Sequence, residues 1–184
     1  MRKAMIIAIL FALTACAMAP NVQTTQPLVI NFTPEADSFT AATKEYQAIW
    51  MEEGERIVLA MERATGLQFE RGPIRAIIYE GVSYSGYGSA PMRLRASYQY
   101  ATKKATLVHE LGHRLIAKQS KADNHPILFL FLYDVWVELW GKEFADEQVA
   151  IESNRRGLYD YEGAWREALS ISSAERKKKL KWLR

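Results

Sequence analysis

The first chemistry this chain suggests comes from five consecutive residues, His109-Glu110-Leu111-Gly112-His113. On a helix, residues four apart lie on one face, so both imidazoles reach a single divalent ion. Glu110 stands beside the first histidine, where its carboxylate takes a proton from a water that the ion activates. The flanking sequence is helical in pattern: Leu107, Val108, Leu111, Leu115 and Ile116 recur at three- and four-residue steps across residues 102–118. This spacing belongs to metal-assisted hydrolysis, with zinc as the usual ion.

A catalytic zinc site needs a third protein ligand and one position left open. His125 is one candidate, at the polar start of the following helix and next to Pro126. A carboxylate from that helix is favoured over it. Folding the two helices as a hairpin about residue 122 sets Asp134 opposite the middle of the five-residue motif. Asp134 also interrupts the nearly continuous apolar run of residues 127–140, and a buried carboxylate demands a strong partner. Glu138, one turn further on, and Glu143, in Glu143-Phe144-Ala145-Asp146, stay open as alternatives. An electrophile for the developing oxyanion has candidates in Tyr84, Tyr87, Tyr98, Tyr100 and Arg114.

The elements that must position these groups follow from periodicity. Thr33-Pro34 has the form of an N-cap and first helical residue. A helix is expected from residue 35 or 38 to residue 64, with Tyr46, Ile49, Trp50, Ile57, Val58 and Met61 facing inward and Gly66 ending it. Residues 74–80 are β-favouring between Pro73 and Gly81, and residues 81–91 hold three glycines and form a loop. Residues 92–100 alternate apolar and polar, the pattern of a half-exposed strand at a sheet edge. A polar connection at residues 119–124 precedes a buried helix over residues 127–140. Gly141 kinks the chain, and the helix resumes over residues 142–156 before Gly157. Trp165, Leu169, Leu180 and Trp182 belong to C-terminal helices, with Ser172-Ser173-Ala174-Glu175 as a capping box. The class is α+β.

The 184 residues are 49% hydrophobic and 24% charged, which suits one domain with a packed core. The formal charge is +3; without Arg2 and Lys3, 22 basic side chains face 21 acidic ones, leaving +1. That balance gives no electrostatic case for nucleic acid as a partner. Lys177, Lys178, Lys179, Lys181 and Arg184 form the one basic cluster, a solvated helix face that also suits anionic phospholipid. Nothing in the sequence sets an oligomeric state.

Residues 1–15 carry a basic start and an apolar stretch too short to span a bilayer permanently. Leu13-Thr14-Ala15-Cys16 resembles the lipobox of bacterial lipoproteins, and Cys16 is the sole cysteine in the chain. That resemblance implies export, cleavage, and a lipid on Cys16 that tethers the protein to the extracytoplasmic face of a membrane. Ala17 in place of aspartate implies the outer membrane in a two-membraned cell. Residues 16–32, with Pro20, Pro27 and a Gln/Thr run, read as a flexible tether, which leaves residues 33–184 as the domain.

From the five-residue motif and the order of elements around it, residues 33–156 resemble the zincin metallopeptidases. The resemblance implies a minimal zincin-like core, one Zn2+ per chain held by His109, His113 and a third ligand, and Glu110 as general base. It also implies that residues 92–100 are the edge strand along which an extended substrate peptide pairs. The metzincin branch is excluded, because Ile116 and Gln119 stand where it requires Gly and His. The glutamate-ligand branch places a second acid four residues after its ligand, as Glu138 follows Asp134. Its usual ligand is Glu, however, and Asp134 is one methylene shorter. The implied substrate is a peptide or protein of the cell envelope, or the peptide stems of the wall. The alternatives are a zinc amidase acting on wall material and an inactive zincin domain serving as a scaffold; the presence of Glu110 argues against the last.

Overall fold

The structure is a computed structural model, and it describes residues 27–70, 72–118, 125–156 and 159–182. The export segment, Cys16, most of the expected tether, the 119–124 connection and Gly157 lie outside the described residues. Three strands and six helices follow one another as β1 (Val29–Pro34), α1 (Thr40–Thr65), β2 (Pro73–Tyr79), β3 (Met92–Arg95), α2 (Tyr100–Ile116), α3 (His125–Trp140), α4 (Lys142–Ser153), α5 (Tyr161–Leu169) and α6 (Ser173–Trp182). No helix among the described residues is long and apolar enough to cross a membrane.

The strands form one parallel sheet in the order β1-β2-β3, with Ile30 opposite Ile74 and Leu94 opposite Ile78. A 26-residue helix, α1, makes the first crossover, but the second is only the loop between Tyr79 and Met92. One sheet face is buried through Ile30, Phe32, Ile74, Ala76, Ile78, Met92 and Leu94. With only one crossover helix, the opposite face stays partly open to solvent, unlike parallel sheets covered on both sides.

Strand β1 corrects the reading of residues 16–32 as tether throughout and of Thr33-Pro34 as a helix start. Leu28, Ile30 and Phe32 are buried in alternation with exposed Val29, Asn31 and Thr33, the period of a strand. Proline is tolerated at Pro34 because the strand ends there on the sheet edge. α1 begins only at Thr40, after a single 3-10 turn. β3 is likewise shorter than expected: it stops at Arg95, and residues 96–99 turn into α2.

α3 is the hub of the helical layer. Leu128, Phe129, Leu130, Phe131, Leu132, Val135, Trp136 and Leu139 are all buried, and the helix packs on α1, α2, α4, α5 and α6. Gly141, at φ 87°, breaks the chain between α3 and α4 rather than kinking one helix, a conformation that costs glycine nothing. The expected capping box forms: Ser172 N donates to Glu175 Oε2 at 2.8 Å, and Glu175 N donates to Ser172 Oγ at 3.3 Å.

Candidate metal centre

α2 brings its two histidines together as the four-residue spacing requires. His109 Nε2 lies 3.1 Å from His113 Nε2. For ligands about 2.05 Å from a tetrahedral ion, the distance between two of them is about 3.3 Å, so this pair is already at the spacing of one coordination edge.

The third imidazole is His125, in the first turn of α3. One ligating atom from each of His109, His113 and His125 falls within 4.8 Å of the others, and this is the group of metal-capable side chains found among the described residues. The ring centroids stand 4.8 Å (His109–His113), 4.5 Å (His113–His125) and 5.5 Å (His109–His125) apart. Gly112 makes the approach of α3 feasible. A methyl group there would collide with Leu128 Cδ1 and come within 3.5 Å of Phe131, so α3 rests directly against the backbone of α2, one turn from His125. Three nitrogen donors converging from two rigid helices fit a zinc or similar divalent ion.

Asp134, the favoured third ligand, does not join them. Its carboxylate faces α6, where Arg176 Nη2 donates to Oδ1 at 2.7 Å, and Arg176 Nε and Ser173 Oγ donate to Oδ2 at 3.3 and 3.1 Å. The helical phase explains the error. Nine residues at 100° each put Asp134 about 180° around α3 from His125, so matching the level along the hairpin left the direction of the side chain wrong. The alternatives also lie elsewhere. Glu138 is exposed and paired with Arg63, and Glu143 is exposed in the first turn of α4.

α4 contributes a different acid, one that sequence reasoning missed. Glu152 is 1% exposed, and its Oε1 lies 2.8 Å from His109 Nδ1. The approach is close but short of hydrogen-bond geometry at either atom. Trp165 Nε1 donates to the other oxygen, Oε2, at 3.1 Å, and Arg155 Nη1 lies 3.3 Å from Oε1. Burial pushes the Glu152 carboxyl upward, but His109, Arg155 and Trp165 outweigh it and hold the group below its ordinary value. With a carboxylate beside Nδ1, His109 would offer Nε2 to an ion, as metal-binding histidines commonly do. The signal in the sequence was weak: one more acid in a helix that holds Glu143, Asp146 and Glu147.

Glu110 is 3% exposed. Burial raises its pKa from 4.5 to about 7; His109 and Arg155 oppose the rise and Glu152 adds to it. With no cation on the histidines, the buried carboxyl holds its proton to near neutrality.

Aromatic rings wall the site. Tyr159 stacks on His125 with centroids 4.2 Å apart, Phe129 stands 5.7 Å from it, and Tyr161 Oη lies 3.3 Å from His125 Nε2. The guanidinium of Arg155 sits 5.5 Å from the Tyr161 ring and 6.0 Å from that of Tyr98. Of the electrophile candidates named from sequence, Tyr98 borders this wall, whereas Tyr84, Tyr87 and Tyr100 are exposed. Arg114 is engaged with the 81–91 loop. Tyr161, not weighed from sequence, brings its hydroxyl to the triad, where Tyr159 contributes its ring. Set against protein-family models, curated proteins and solved structures, the chain matches none.

Proposed function

We propose that this domain is a zinc-dependent hydrolase of the zincin kind, with His109, His113 and His125 as ligands and Glu110 as general base. The supporting observation is the convergence of three imidazoles within 4.8 Å, beside the buried carboxyl of Glu110. A bound zinc would supply a Lewis acid for a scissile carbonyl and lower the pKa of water toward 7. Glu110 accepts the proton of the attacking water and passes it to the leaving amine. Glu152 stands 2.8 Å behind His109, held there by Trp165 and Arg155. Tyr161 reaches the triad with its hydroxyl, where a phenol stabilises negative charge on a substrate oxygen.

The substrate under this reading is an amide or peptide bond of the cell envelope, and the protein is a lipoprotein held through Cys16. The lipobox-like Leu13-Thr14-Ala15-Cys16 supports that placement. The deciding experiment compares metal content and hydrolysis in the wild type and Glu110→Gln. Both should carry about one zinc per chain, and the variant should lose about 10² to 10⁴ in rate. A wild type that takes up no zinc would end the enzyme reading. Equal zinc with no hydrolysis of any protein, peptide or wall fragment would favour a scaffold.

A further inference from the structure

A protein that binds an extended polypeptide beside a sheet usually adds it as a strand, through the unpaired N–H and C=O groups of an edge. β3 is the edge strand that leads into α2, and its backbone is already engaged. Arg93 N donates to Tyr84 O at 2.9 Å, and Tyr84 N donates to Arg93 O at 3.0 Å, an antiparallel bridge closed by the chain itself. Arg95 N donates to Ser83 Oγ at 3.0 Å, and Arg95 O accepts from Tyr46 Oη at 3.0 Å. Met92 and Leu94 alternate with these residues and pair toward β2. On a strand of four residues, nothing remains on the outer edge for a guest to bond.

The segment occupying that edge is firmly held. Arg114, the residue after His113, donates to Ser85 O at 2.9 Å, Gly88 O at 3.3 Å and Ala90 O at 3.4 Å. Arg75 donates to Ser89 O at 2.8 Å, and Tyr79 Oη donates to Val82 O. Gly86, at φ 59°, turns so tightly against the backbone of Ala90 and Pro91 that no side chain fits. Nor are the two edge arginines free to select acidic side chains: Arg93 is bonded to Glu35, and Arg95 lies 3.0 Å from Glu80. The far edge, β1, is about 10 Å from β3, two strand spacings away.

We infer that this site takes no long polypeptide laid along β3, and that its substrate is instead short or compact. The inference rests on the hydrolase reading for its chemistry, but its physical content, a closed edge, can be measured separately. Hydrogen exchange at the Arg93 and Arg95 amides of the zinc-loaded wild type is followed alone and with an unstructured alanine-rich peptide at millimolar concentration. Both amides should exchange at least about 100-fold more slowly than an open chain before peptide is added, and peptide should change neither. Open-chain exchange in the free protein, or new protection when peptide is added, would overturn the inference. In the activity arm, tetrapeptides should exceed a reduced, unfolded protein by at least about tenfold in kcat/KM per bond; equal or faster cleavage of the unfolded protein would overturn it too. Failure to cleave either substrate would count against the hydrolase reading alone, and the exchange result would still decide the edge.

Discussion

Replacing Asp134 and His125 by alanine, one at a time, separates a structural role from a metal-binding one, because each variant should fail in a different measurement. Asp134 anchors α6 to α3: Arg176 is 5% exposed, and apart from the carbonyls of Ile171 and Ala168 its guanidinium is bonded to this carboxylate. Removing one partner of a buried ion pair costs about 3–5 kcal/mol. Asp134 is 19% exposed at its side chain and two carbonyls would remain on Arg176, so the lower end applies, about 3 kcal/mol. For a domain of this size that lowers Tm by roughly 10 °C, with zinc content unchanged at about one per chain. His125→Ala should behave in the opposite way. The half-buried ring gives up little packing energy, so the zinc-free Tm should move by only a few degrees. Zinc affinity should fall, and a 100-fold loss removes about 2.7 kcal/mol of zinc-dependent stabilisation at fixed free metal. The assay is metal content by mass spectrometry together with thermal unfolding before and after chelation. If Asp134→Ala lost its zinc while His125→Ala kept it, the assignment of the third ligand would be refuted.

Glu152→Gln keeps the shape of the side chain but removes its charge from behind His109, and should weaken zinc binding by about 10- to 100-fold in a competition titration with a chelator. Gly112→Ala pushes Leu128 away from α2 and should lower both zinc affinity and Tm, while Gly88→Ala, where an added methyl group meets nothing, should leave zinc affinity alone. Cys16→Ser should abolish incorporation of labelled fatty acid and release the protein from the membrane fraction; labelling that survives the substitution would remove the lipoprotein reading.

Where the sequence was legible, a repeat of side chains carried the information. The 3.6-residue period placed α1 and α2, the nearly continuous apolar run placed α3, and the serine–glutamate spacing of the capping box named the start of α6. The motif histidines needed only a helix to meet, and α2 supplies it. β1 was hidden because a six-residue strand next to Pro27 and a Gln/Thr run gives only three alternations, and because its partner, β2, is more than forty residues away. The placement of His125 beside the motif histidines was hidden for a related reason. Axial level in a helical hairpin follows from counting residues, but facing direction depends on the packing at Gly112 and on which helix takes up Asp134; here α6 does, through Arg176. Glu152 reaches His109 from a separate helix, a juxtaposition that no local pattern encodes.

The charges around the site also bear on what fills it. Glu110 and Glu152 are buried within one cluster with a single guanidinium, Arg155, to balance them. Two carboxylates against one cation leave a negative charge out of water, and the cluster relieves it by keeping Glu110 protonated up to about pH 7. A divalent cation on the triad would relieve it in another way, by favouring the ionised carboxylate. The sign of the pH dependence follows. In zinc-stripped protein, Glu110 holds its proton in the folded state at pH values where the unfolded chain has released it, so stability falls as pH rises from 4.5 to about 7 and stays low above that. A displacement of this size corresponds to about 3 kcal/mol. Glu110→Gln has no proton to lose, so without zinc its stability advantage over wild type should grow by up to that amount between about pH 5 and pH 8, on the order of 10 °C in Tm. With zinc bound, the cation lowers the carboxyl's pKa and the pH-dependent gap should close. A gap that stays flat with pH in stripped protein would mean that Glu110 is not held in the uncompensated, buried state from which its role as base is argued.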